Sequence, residues 1–387
     1  MNAPHTNTPA AAPSSDVRSE EMLLNMGPQH PSTHGVFRVV IRTDGEIVLD
    51  SESHVGYLHR CFEKHCESVS FLQSVLYTDR LDYLTSMGNN LAFSMAVERL
   101  YPDLKIPERA EHIRVICAEL NRIASHLLAI GTYGMDIGAI TPFLYCFRDR
   151  EKILSIFESI CGQRLNYNYV RPGGVAYDID DSMIAAIKDF CGYFRPKAQE
   201  YDDLLSNNDI FVRRTANVGV LPKDLAISYG VTGPSLRGSG LKRDLRRDAP
   251  YSIYDRFKFD IPVGTGEKGT LGDCYDRYMV RVREMIESLK IVEQAVAQIP
   301  DGPFKSEQLK GKLRPPKGES FVRVENSRGE LGFYVISDGK DVAARVKCRA
   351  PSFHNISLLS DISKGCMIAD MVAIIGSLDI VMGEVDR

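Results

Sequence analysis

Two histidines in one short stretch, GPQHPSTHG over residues 27–35, are the residues best suited to chemistry in this chain of 387. Pro31 stands between His30 and His34, so their four-residue spacing is not the face of a regular helix. Gly27-Pro28 and Gly35 mark turns on either side, which leaves two imidazoles on a stiff loop. Histidine exchanges protons near neutral pH, and loops held by a scaffold are where binding and catalytic groups gather. A solvent-exposed turn with incidental histidines reads equally well from these residues alone. Metal binding is weakly supported, because no acidic or thiol partner stands around them at ligand spacing.

Other stretches carry chemistry less clearly. HRCFEKHC (59–66) packs two His and two Cys into eight residues; zinc is conceivable, but a helix with two buried thiols fits the spacing better. TDRLDY (78–83) sets Arg80, Asp82 and Tyr83 at a helix start, with Thr78 or Asp79 as its cap. Asp136, flanked by Gly134 and Gly138, is either a turn aspartate or the orienting partner of a histidine. His126, on the flank of a long helix, reads as a satisfied core histidine. Arginines 237, 243, 246 and 247 form a solvated basic loop or hold an anion. The GSG at 238–240 lacks the strand and helix of a dinucleotide fingerprint.

The elements that must position these groups read as mainly helical. A tail over 1–21, rich in Ala, Pro, Ser and Thr, is expected to be disordered. VFRVVIR and EIVLDSES flank Thr43-Asp44-Gly45, a hairpin signal. Helices are expected over 80–101, 108–131, 149–161, 180–205 (bent near Pro196), 273–298 and 365–377. In the second of these, Ile113, Ile116, Leu120, Ile123, Leu127 and Ile130 form one apolar stripe, with Glu111, Arg114, Glu119 and Arg122 on the opposite faces and Gly131 as the stop. Residues 233–251 show too little periodicity to be regular. FVRVEN, ELGFYVIS and AARVKCRA read as strands joined at Ser327-Arg328-Gly329 and Asp338-Gly339. The expected architecture is mainly α with small β meanders near both ends (α+β), and residues 22–387 form a single domain.

Composition narrows the function. A net charge of −4 offers no basic surplus for nucleic acid. No apolar run approaches membrane-spanning length, and the N-terminus lacks a secretory pattern. Nine scattered cysteines form no C-x-x-C pair, which argues against a disulfide framework and for a reducing, cytoplasmic-side compartment.

A series of strings in one order then resembles a known family. NMGPQHPSTHGVFR (25–38), GYLHR and FEK (56–64), DRLDY (79–83), ELNRIASHL (119–127), and TPF with FRDRE (141–151) are followed by YVRPGGV (169–175), LRGSG and DLR (236–246), GDCYDRY (272–278), APSF (350–353) and GEVDR (383–387). Together they resemble the family of D-type, quinone-site subunits of respiratory NADH:quinone oxidoreductase (complex I), itself related to the large subunit of nickel–iron hydrogenases. The resemblance covers residue 22 to the end and implies the hydrogenase-large-subunit fold. Hydrogenases hold their metals with two C-x-x-C pairs, the second preceded by Asp-Pro. Here Asp379 and Ile380 stand at those two places, Val381 and Glu384 stand where the thiolates belong, and no cysteine occurs near DRLDYLTSM. Soft metals need thiolates, so the resemblance implies a metal pocket put to another use and no metal or flavin bound by this chain.

That use, in the family, is the quinone headgroup pocket. By motif match His34 and Tyr83 would hydrogen-bond the two quinone carbonyls, Asp136 would pair with and orient His34, and His30 would shape the loop. Arg60, Arg80 and His126 match positions close to the terminal iron–sulfur cluster of a partner subunit. Implied partners are that iron–sulfur subunit, an adjacent small hydrophilic subunit and the quinone-channel membrane subunit, with no nucleic acid. The implied location is peripheral, on the cytoplasmic side of the bacterial inner membrane. NADH oxidation falls to partners, because this chain has no nucleotide motif. Two departures from the family pattern are a shorter 301–320 region and a longer 263–272 loop, both away from the expected pocket. The alternatives are a nickel–iron hydrogenase large subunit of a membrane-bound hydrogenase, and a zinc or scaffold protein built on HRCFEKHC.

Overall fold

The computed structural model describes residues 21–309 and 311–387. Strands β1 (Glu21–Met26), β2 (Arg38–Asp44) and β3 (Ile47–His54) form an antiparallel sheet in that order. The hairpin at Thr43-Asp44-Gly45 is as expected, with Asp44 opposite Ile47. β1 has no clear sequence signal: Met22, Leu23 and Leu24 alternate too weakly to announce a strand, and β2 supplies the pairing. The expected tail over 1–21 falls outside the described residues except for Glu21, which begins β1.

The core is helical. The central helix, Glu108–Asp136, packs antiparallel to Ile140–Cys161 and against Cys274–Gln298. Its apolar stripe, Ile113 through Ile130, is fully buried. Gly131 does not end it. A Cβ at that position would lie 3.1 Å from the Cβ of Cys146 and 3.3 Å from the Cα of Phe143, so the glycine lets the neighbouring helix approach. The helix stops five residues later, before Gly138 at φ 100°. The charged residues expected opposite the stripe are not solvated either. Arg114 is buried between Glu98 and Glu111, and Glu119 and Arg122 are buried against each other.

The region expected to be irregular carries two short helices, Gly233–Gly238 and Leu245–Asp248, with Arg237 and Arg246 wholly buried. Arg237 pairs with Glu284 (2.9 Å) and Glu325 (2.7 Å); Arg246 pairs with Asp244, Glu119 and Glu284. Neither a solvated loop nor an anion site describes them: they are an ionic core. Helix Cys274–Gln298, which supplies Glu284, starts where expected because the Asp273 carboxylate accepts the Asp276 N–H at 2.9 Å.

A two-residue-wide ribbon, β4 (Val170–Arg171) with β5 (Gly174–Val175), precedes helix Asp181–Phe194. The second meander is β6 (Gly318–Asn326), β7 (Gly329–Ser337) and β8 (Arg345–Arg349), all antiparallel. Helix Ile368–Leu378 and a short buried helix, Met382–Asp386, complete the chain and return it beneath the first sheet.

Candidate functional site

His34 closes a single 3-10 turn, Pro31–Thr33, and adopts a left-handed conformation (φ 50°). The turn is fixed by Thr33, whose hydroxyl donates to the carbonyls of His30 (2.7 Å) and Gly35 (3.2 Å). This geometry turns the His34 ring onto the last turn of the central helix, where Nε2 meets Asp136 Oδ2 in a very short contact. A carboxylate at a helix C-terminus sits against the dipole, and the His34 ring gives it a hydrogen-bond partner there. Asp136 is thus the last residue of the central helix and the partner of His34, not a turn aspartate.

Tyr83 lies in the connection between helices Phe71–Thr78 and Ser86–Glu98. The helix expected from Arg80 begins only at Ser86. Thr78 and Asp79 end the preceding helix: the Thr78 hydroxyl donates back to Val75 O, and Asp79 accepts Asn168 N–H at 3.0 Å. Asp82 rigidifies the connection by accepting from the Leu84 N–H (3.1 Å) and the Thr85 hydroxyl (2.6 Å). The Tyr83 hydroxyl has no hydrogen-bond partner among the described residues. Burial raises its pKa, against the opposing pull of the Arg328 charge.

His34, Tyr83 and Asp136 line one cavity of about 270 Å³. Leu84, Leu128, Met135, Ile380 and Val381 supply apolar walls, and Arg328 and Asp379 complete the polar lining. A larger cleft of about 790 Å³, between Glu98, Tyr251 and Phe321, contains no histidine. Its Glu98 and Glu111 both pair with Arg114, whereas the smaller cavity holds an unpartnered tyrosine hydroxyl beside a histidine.

The other expected site residues lie elsewhere. His30 is exposed and accepts the Ser32 N–H through Nδ1, which caps the turn without lining the cavity. Arg60 and Arg80 are exposed neighbours: Arg60 donates to Arg80 O (2.7 Å) and to Gly383 O (3.0 Å), so it grips the segment that walls the cavity. His126 is fully buried and meets Glu284 at 3.0 Å, and it makes no hydrogen bond with either arginine. Burial lowers its pKa against the pull of Glu284. Of the two thiols in HRCFEKHC only Cys66 is buried and Cys61 is exposed, so the expected pair of buried thiols is halved. Among the described residues no cluster of three or more His, Cys, Asp or Glu could hold a metal ion.

Arg328 gives no sign in the sequence of its place at the site, whereas Asp379 and Glu384 are marked only by the hydrogenase comparison. Arg328, which reads only as part of a turn, is fully buried and donates to Asp82 Oδ2 (2.7 Å) and to Asp379 Oδ1 (3.0 Å). Asp379 also faces Arg281 at 3.5 Å. Glu384 is buried behind them, accepts the Ser352 N–H at 3.1 Å, and is pushed up to about 8 by burial and by the Asp82 charge. A turn of Ser-Arg-Gly gives no hint of burial. The one available signal is the pair of acidic residues, 82 and 379, that need a cation.

The pattern of the family described as "Respiratory-chain NADH dehydrogenase, 49 Kd subunit" matches residues 136–315 and 307–387. This chain belongs to that family. Among its relatives, the D-type subunit of NADH-quinone oxidoreductase from Chlorobaculum tepidum is 56% identical over 375 residues, 96% of this chain and 94% of the relative. The proteins of the same name from Pelodictyon phaeoclathratiforme and Chlorobium luteolum are each 54% identical over 96% of this chain, covering 94% and 95% of their own lengths.

Proposed function

We propose that this chain, as a subunit of NADH:quinone oxidoreductase, receives the quinone headgroup in the cavity between His34 and Tyr83. The observation that carries the reading is the convergence of an aspartate-oriented imidazole and an unpartnered tyrosine hydroxyl on one apolar-walled cavity of about 270 Å³. That volume lies just below the usual range for whole drug-sized ligands, which suits a single substituted ring. Quinone reduction takes two electrons and two protons, so each carbonyl oxygen needs a donor within reach. Imidazole is a donor of the right type for this step, and Asp136 keeps the His34 ring aimed. Tyr83, held weakly acidic by burial, donates last and is then reprotonated.

Electrons come from an iron–sulfur cluster in a partner subunit, and the exposed pair Arg60–Arg80 beside the cavity's back wall is the surface facing it. His126, matched by the family motif to the same cluster, is fully buried against Glu284 and apart from that arginine pair. Exposed Met135, Ile140 and Leu144, next to Asp136, form the apolar face that meets the quinone-channel membrane subunit. Among the described residues no helix is long and apolar enough to cross a membrane; the peripheral place on the cytoplasmic face is read from the family relationship. The hydrogenase-like fold is read from the family relationship, with Asp379 and Val381 now walling the cavity in place of a metal site.

Tyr83→Phe tests the reading in membranes that carry the whole complex. NADH-to-quinone electron transfer is expected to fall about tenfold or more, while NADH-to-ferricyanide transfer stays intact. Unchanged quinone reduction would remove Tyr83 from the site. Stoichiometric nickel in the purified complex would favour the hydrogenase alternative.

A further inference from the structure

The tip of the β6–β7 hairpin is buried instead of exposed. Its two loop residues, Ser327 and Arg328, are almost wholly shielded, and the tip is clamped on several sides. Asn326 donates to the Thr85 hydroxyl (2.9 Å), Asn355 donates to Arg328 O (3.1 Å), and Gly233 lies so close that a Cβ there would be 2.4 Å from Gly329 Cα. This clamp delivers one guanidinium to the cavity wall.

A guanidinium has five N–H donors, and those of Arg328 can be counted. Nε donates to Asp379 O at 2.8 Å. The two Nη1 hydrogens serve Asp82 Oδ2 (2.7 Å) and Ser125 Oγ (3.0 Å), with Ser327 Oγ at 3.3 Å sharing one of them. Nη2 has a single acceptor, Asp379 Oδ1 at 3.0 Å. One Nη2 hydrogen therefore has no acceptor among the described residues, on a side chain that lines the cavity.

We propose that Arg328 is a third substrate-binding group, whose spare Nη2–H donates to the quinone oxygen on which negative charge develops. The inference rests on the quinone-site reading. A buried, fixed cation that never loses its proton is worth most where charge appears in a low-dielectric cavity. Asp82 and Asp379 hold the group in place without consuming that donor. Arg328 moves no proton itself. Both protons of the two-electron reduction come from His34 and Tyr83, one for each carbonyl oxygen, and the electrons come from the partner's cluster.

The test compares two competitive inhibitors of quinone reduction by the native complex, 2-hydroxy-1,4-naphthoquinone, ionised across neutral pH, and its 2-methoxy ether, which stays neutral. The ionised compound should bind about tenfold or more tightly, and the advantage should persist from about pH 6 to pH 9. An advantage that fades over that range belongs to an imidazole and overturns the proposal, as does equal binding. In Asp82→Asn with Arg328→Gln, which removes a charge and its counter-charge together, the advantage should fall toward one; Arg328→Lys should keep it. Survival of the advantage in the double variant assigns it elsewhere, and the native comparison stands whether or not that variant assembles. If neither compound competes and Tyr83→Phe is silent, the quinone site itself is misplaced. If Tyr83→Phe slows quinone reduction but the two compounds bind alike, only the role of Arg328 fails.

Discussion

His34 does its work from a backbone conformation that few residues accept. At φ 50° a side chain with a branched Cβ is strained, whereas Asn and Asp tolerate the left-handed region. His34→Asn should therefore keep the turn and the assembled complex while removing the imidazole. The expected result is quinone reduction lowered about tenfold or more with ferricyanide reduction preserved, measured side by side on the same membranes. A parallel loss of both rates would mean that the ring is needed for the fold. Asp136 offers the complementary view, because its carboxylate, set against the helix dipole, has the His34 ring as its hydrogen-bond partner.

At the scale of elements, the site depends on how closely backbones approach one another. Gly233 (φ 69°) packs its Cα side against the carbonyl of Arg328, which a Cβ would meet at 2.6 Å. Gly233→Ala should cost about 1–3 kcal/mol by forcing the hairpin tip outward. Gly45 serves as the control: it is also left-handed (φ 59°) but has nothing within 4 Å, so Gly45→Ala should cost only about 1 kcal/mol. Thermal denaturation of the two variants separates close packing from backbone strain. The same contrast explains what can be read from sequence. The β2–β3 hairpin, the stripe of the central helix and the capped start at Asp273 are legible because local pattern fixes each of them. Gly131 as a stop, a helix start at Arg80 and a solvated arginine loop are misleading signals, because tertiary packing overrides the local pattern at each. His34, Tyr83 and Asp136 come to notice through their local residues, and the family motifs supply their expected roles. Arg328 escapes notice because a hairpin tip is buried only by partners remote in sequence, at Thr85, Gly233 and Asn355.

The whole molecule is held together by apolar packing threaded with buried ion pairs. Arg122, Arg237 and Arg246 surround Glu284, whose carboxyl lies well below its ordinary range because these charges outweigh its burial. Glu384 is the opposite case. Its folded pKa, about 8, lies above the unfolded value, so the neutral carboxyl favours folding. That contribution is complete in acid, declines as pH rises from the ordinary Glu range, and is lost as pH passes through about 8. Asp82, Arg328 and Arg349 are the charges around it. Glu384→Gln should abolish the decline, a difference on the order of a few kcal/mol above pH 8. Inactivation half-lives of the complex at pH 6 and pH 9 check this: the variant should outlast the parent only at the higher pH.

The cavity borrows its walls from segments far apart in the sequence, residues 31 and 34 on one side and residues 379–381 on the other. In time, this means the ribosome makes the first wall roughly 20–70 s before the last, at about 5–20 residues per second. Throughout that interval the histidine loop has no opposite side and Arg328 has no Asp379. A nascent chain can fold its first sheet early, but nothing that requires the closed cavity can bind until the final segment docks. Any maturation factor that inspects this site must therefore act after residues 379–381 have been made and docked.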